Sequence, residues 1–216
     1  MDNNMLIDSN YIEVWFFMQG SSSGGHEKNT TFTNNKVFNH EGVRFDTTDS
    51  LLVLKNEILV NVFGANGNAG LAIQGCSGKI KVHKNKIIGI FAGGIRLNSV
   101  NGSAGSEVEI YNNAVSSDGY QNYYEGISLT SSSYLNVYHN SVESWGYLPN
   151  GIAFATAINC RSFNNSVKST GSSWAYYAEA VNSATHFSDY NNVLGPGFNA
   201  YRFNGFDYNT LADYQL

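Results

Sequence analysis

One asparagine, returning at near-constant spacing, constrains this chain more than any other feature. It stands at Asn10, Asn35, Asn56, Asn85, Asn113, Asn140, Asn165 and Asn192, at intervals of 25, 21, 29, 28, 27, 25 and 27 residues. Two places after it the chain reads Ile12, Val37, Ile58, Ile87, Val115, Val142, Val167 and Leu194. Three places before it stand Ile7, Phe32, Val53, Val82, Ile110, Val137, Ser162 and Asp189. Five places before it stand Met5, Thr30, Leu51, Ile80, Val108, Leu135, Cys160 and Phe187. Apolar residues at −5 and −3 follow the period of two of a half-buried strand. The phase breaks before +2, so the asparagine sits at a corner between two strands.

A second element lies upstream of most of these corners: "GVRF" at 42–45, "GLAI" at 70–73, "GIRL" at 94–97, "GISL" at 126–129 and "GIAF" at 151–154. "AEAV" at 178–181 is the next candidate, with Glu179 in an awkward place. Each is a small residue leading into a short strand. The unit is therefore strand, turn, strand, asparagine corner and brief third strand, followed by a loop of variable length. Short units of this kind bury their apolar faces only by stacking. The chain is expected to wind as a coil whose rungs pair through parallel β hydrogen bonds at ~4.8 Å. Asparagine suits the corner because it tolerates the left-handed region, and its amide can bond the asparagine above and below. With 29 Asn and 22 Gly against 13% charged residues, the composition is that of an all-β, turn-rich chain.

The net charge of −5, with no basic run, argues against nucleic-acid binding and against electrostatic docking to an anionic membrane. The longest apolar run, Val14 to Met18, is too short to span a bilayer. "MDNNMLIDSN" does not read as a leader peptide. Cys76 and Cys160 fall three rungs apart, roughly 14 Å at that spacing, beyond the reach of a disulfide; both are expected to be free.

The repeat, fullest at residues 126–142, resembles the right-handed parallel β-helix of the pectate-lyase-like superfamily over about residues 5 to 195. That resemblance implies an all-β, single-stranded right-handed parallel β-helix (solenoid) of about eight rungs, occupying residues 1–197. A Tyr-rich tail at 198–216 would pack on or extend the last rung. The phrase "TLADYQ" near the C-terminus resembles the ends of β-helix segments in large exported bacterial surface proteins. It implies an extracellular or cell-surface location, the chain being expected to be an excised segment or a truncated product that lacks the leader and sorting signals.

In that superfamily the groove lies over the glycine-led strands. The loops after the +2 column place Tyr120, Tyr123, Tyr124, Trp145, Tyr147, Trp174, Tyr176 and Tyr177 on one side of the coil. Such rings either pack on one another as a roof or offer flat faces to sugars. Arg44 and Arg96 share an outward column, with Glu125 one rung from Arg96; these are the candidates for acid–base chemistry on a saccharide. Glu125 could be paired with Asp118 or Glu143 as in a hydrolase, although ordinary ion pairing at the surface is the stronger explanation of these carboxylates. No metal cluster or cofactor motif is evident, and calcium would enter only with a lyase. Two function classes follow. One is a non-catalytic module of a surface protein, a rigid spacer or adhesive segment touching polysaccharide or cell-surface glycan. The other is a polysaccharide lyase or glycoside hydrolase working over the glycine-led sheet. End-to-end self-association through uncapped rungs is a further expectation.

Overall fold

The computed structural model describes residues 4–20, 27–61, 69–119, 125–146, 150–170, 174–182, 184–195 and 200–208. The chain is a parallel β-solenoid with three walls, and no helix occurs among the described residues. One wall holds the strands before the asparagine, from Leu6–Asp8 to Phe187–Asp189, and a second the strands after it, from Tyr11–Ile12 to Asn192–Leu194. Each of these has eight strands. The third, glycine-led wall has nine, from Phe16–Gln19 to Phe206–Tyr208. About six full turns replace the eight rungs expected. The end rungs are built of strands of only two to four residues, and in the two walls flanking the asparagine they have a neighbour on one side alone among the described residues.

Neighbouring strands pair in parallel and in register, so sequence columns become physical columns. Val53, Val82, Ile110 and Val137 stack in this way, each fully buried. The described part of the Tyr-rich tail extends the glycine-led wall. Tyr201–Phe203 pairs in parallel with Tyr176–Glu179, and Phe206–Tyr208 returns antiparallel. Small residues are required where the glycine-led strands begin. A Cβ on Gly126 would lie 2.3 Å from Val142 Cγ1, and one on Gly151 2.3 Å from Val167 Cγ1.

The corner asparagines form a continuous ladder, buried from Asn35 to Asn191. Each side-chain Nδ2 donates to Oδ1 of the asparagine one rung on, at 2.8–3.0 Å. Each backbone N–H donates to the same oxygen at 2.9–3.1 Å. From Asn35 onward the second Nδ2 hydrogen goes to a carbonyl of the preceding rung at 2.9–3.0 Å. Every interior amide of the ladder is thus satisfied, as burial demands.

Several expectations are corrected here. The left-handed residue is the one before the asparagine: Ser9, Asn34, Lys55, Lys84, Asn112, His139, Asn164 and Tyr190 have φ of 52–57°. The asparagine is kept for its amide. The last ladder member is Asn191 and not Asn192: Asn165 donates to Asn191 Oδ1, Tyr190 takes the left-handed bend, and Asn192 is exposed. Two adjacent asparagines allow either register, and the pairing of Arg161 with Phe187 selects the earlier one. The inward residues of that rung are accordingly His186, Ser188 and Val193. The polar −3 residues there cause no break. Asn165 Nδ2 donates to Ser162 Oγ at 3.2 Å and Asn191 Nδ2 to Ser188 Oγ at 3.0 Å. "AEAV" is likewise three residues too late. Tyr176–Glu179 aligns with Ile152–Ala155, which turns Tyr176 inward and leaves Glu179 on the rim.

Cys76 and Cys160 are free and buried. No helix among the described residues is long and apolar enough to cross a membrane.

Replacing Asn140 by Ala strands two donors of Asn113 and the carbonyl of Ile110 in the interior. At 1–3 kcal/mol for each buried unpaired group, a loss of about 3–5 kcal/mol is expected in denaturant unfolding. Asn192→Ala should change stability by less than about 0.5 kcal/mol, as for an ordinary surface site.

Candidate functional site

Register places one residue of every glycine-led strand in a single outward column. Arg44, Ala72, Arg96 and Ser128 are consecutive members, followed by Ala153, Tyr177 and Arg202. Ala72 is too short to fill the gap between two arginines, and a hollow of about 240 Å³ opens there. Trp15, Glu41, Gln74 and Asn98 complete its walls. Arg44 is already engaged: Nε and Nη2 clamp the Asp46 carboxylate at 2.9 and 2.7 Å, Nη2 reaches Gln74 at 3.3 Å, and the guanidinium lies 5.5 Å from the Phe17 ring centre. Asp46, first member of "DTTD", therefore serves an arginine.

Glu125 lies on the rung next to Arg96, its backbone carbonyl accepting from Gly94 N at 3.0 Å, and the Arg96 charge reaches its carboxyl. Burial pushes the Glu125 carboxyl up from its ordinary value. Hydrogen bonds from Ser128 and Asn150 and the nearby Arg96 charge pull the other way without cancelling the effect. Glu125 is not brought to either proposed carboxylate partner by any described contact. Glu143 is held by Lys168 at 2.7 Å on the outer face of the post-asparagine wall. Asp118 stands opposite Trp145 on that wall, its carboxyl also pushed up by burial. No group of three or more His, Cys, Asp or Glu that could hold a metal occurs among the described residues.

The aromatic candidates divide. Trp145 is 44% exposed near the end of its strand, its Nε1 3.4 Å from Ser116 Oγ. Trp174 and Tyr177 form a pair 5.5 Å apart, half-buried at the start of the glycine-led strand. Arg202 lies 4.6 Å from the Trp174 ring centre and pairs with Glu179 at 3.3 Å. Tyr176 is not a surface ring: it is 1% exposed, and Phe154 and Tyr201 pack against it inside the coil. The three-residue shift of its strand turned an outward assignment inward. Tyr120, Tyr123, Tyr124 and Tyr147 lie outside the described residues.

Sequence reading missed Trp15, which walls the hollow while stacking on Phe17 at 5.0 Å. It also missed an outer aromatic column two places before the asparagines. His83, Tyr111, Tyr138 and Phe163 stack nearly parallel at 4.5, 4.9 and 5.1 Å. Tyr138 donates its hydroxyl to Glu109 at 3.1 Å, and Glu109 pairs with Lys81. The −2 column stands in the sequence as His83, Tyr111, Tyr138 and Phe163, but it faces outward, where no burial period marks it.

Comparison with protein-family models, with curated proteins and with solved structures gives no match.

Removing the guanidinium in Arg96→Leu should move the Glu125 titration further upward, because the positive charge stabilises the carboxylate. Side-chain carboxyl NMR across a pH series reads this directly; an unchanged or lower midpoint contradicts the described proximity.

Proposed function

We propose that this chain is a non-catalytic β-solenoid module of an exported bacterial surface protein, a rigid spacer whose ring-bearing bend holds glycan. The carrying observation is the exposed Trp145 near the bend between the post-asparagine and glycine-led walls, with Trp174 and Tyr177 beginning the latter wall. Flat apolar faces with polar edges fit the alternating CH and OH surfaces of a sugar. Rigidity is supported by a ladder in which every interior amide is bonded. The cell-surface setting rests on the resemblance of the C-terminal phrase.

A second reading has one observation in its favour. Glu125, biased by burial toward its neutral form beside Arg96, is equipped as a general acid on a lyase or hydrolase groove that includes Arg44. Under it, incubation with pectate, alginate or neutral glycans, with and without calcium, would yield unsaturated or reducing ends, and Glu125→Gln would abolish them.

For the leading reading, a glycan array on the purified chain should show retained saccharides without turnover. Trp145→Ala and Tyr177→Ala should each weaken binding about tenfold, the order expected for losing a stacking ring of 1–1.5 kcal/mol. A blank array for the unaltered chain, or variants that bind equally well, overturns it.

A further inference from the structure

The interior carries one ionisable imidazole, among the described residues, at a place where every other rung has a neutral group. The inward column five places before the ladder asparagine runs Leu51, Ile80, Val108, Leu135 and Cys160, and the register of the last rung adds His186 to it. His186 is 8% exposed. Its ring centre lies 4.9 Å from Phe154, 5.8 Å from Phe203 and 6.4 Å from Tyr176. Nε2 shares a hydrogen bond of 3.0 Å with the Tyr176 hydroxyl, while Nδ1 is buried without a partner among the described residues.

The groups facing the ring leave a positive charge uncompensated. Cys160, one rung away, has its thiol pushed up to about 12 by burial and is neutral. Tyr176 offers a phenol, and Phe154 and Phe203 offer only rings. The nearby charges of Glu179, Arg202 and Asp207 pair with one another on the outer face of the glycine-led wall. Burial alone accordingly drives the imidazole down to about 4. The rung it closes lies at the end of its two walls. Phe187–Asp189 and Asn192–Leu194 are three-residue strands, each with a neighbour on one side only among the described residues.

We propose that His186 is an acid-sensitive latch for the last rung: its uncharged ring seals the end of the core, and protonation releases residues 184–194 from the strands beneath them. Release takes Asn191 off the ladder and uncovers the edges of Ile158–Phe163 and Ser166–Ser169, with Cys160, Ser162 and Asn165 behind them. The inner turns contain no such group in this column and stay closed.

The sign follows from linkage. The folded imidazole binds its proton less readily than the open one, so closure is fully present above about pH 6.5 and is lost as pH falls toward about 4. With the open form titrating near 6.5, the opening equilibrium rises about 70-fold between pH 7.5 and 4.5. Hydrogen–deuterium exchange on the full chain, corrected for intrinsic rates, should show protection at 187–194 falling by that order while strands from Thr48–Leu54 to Ser133–Tyr138 keep theirs. His186→Phe should hold the rung closed at both pH values. Equal protection of the wild-type segment at both, or opening of His186→Phe at the same pH as the wild type, overturns the proposal. Should His186→Phe fail to fold, imidazole NMR on the wild type decides: a midpoint below 5.5 that coincides with rung opening supports the latch, and one at 6 or above removes it.

Discussion

The amide of the corner asparagine is the interaction on which the coil depends. One Oδ1 accepts two hydrogen bonds from the preceding rung, and one Nδ2 gives two, so a single side chain ties its own rung to both neighbours. No other side chain with one acceptor and a two-hydrogen donor is short enough to do this at a bend; glutamine is a methylene too long, and aspartate has no hydrogen to give. The ladder therefore sets vertical register, and the valines and isoleucines behind it need only fill space. Where aliphatic filling lapses, at Ser162 and Ser188, the same amides supply the missing partners.

A solenoid has almost no contacts between distant parts of the chain other than those between successive rungs. Its chemistry is consequently arranged in columns, and each column reads as one line of sequence with gaps. Arg44 and Arg96 end up around one hollow because the rung between them contributes Ala72, and Glu125 meets Arg96 because its rung stacks next. The aromatic stack from His83 to Phe163 belongs to the same logic, as does the placement of His186 beyond Cys160.

That logic explains what could be read in advance. Seven ladder members, the inward columns and the free cysteines were legible because each depends on a residue type at a fixed offset. The errors share a cause. At Asn191/Asn192, and at "AEAV" against the strand that begins at Tyr176, two placements satisfy the pattern equally. Only pairing with the previous rung separates them. The role of the residue before each asparagine is hidden for another reason: asparagine fills it at Asn34, Asn112 and Asn164, but serine, lysine, histidine and tyrosine fill it elsewhere, so the left-handed geometry leaves only a partial compositional trace. Exposed features such as the Trp15 wall were harder still, since they depend on what neighbouring rungs leave empty.

The intervals between ladder positions range from 21 to 29 residues, yet the walls stay in register. All that variation is carried by connections leaving the bends, outside the stacked strands. Such a scaffold separates the part that must repeat from the part free to differ. Side segments could be lengthened, shortened or exchanged one rung at a time, each presenting its own chemistry at a height along the axis fixed by ~4.8 Å steps, as notches are cut into a ruler without altering its scale.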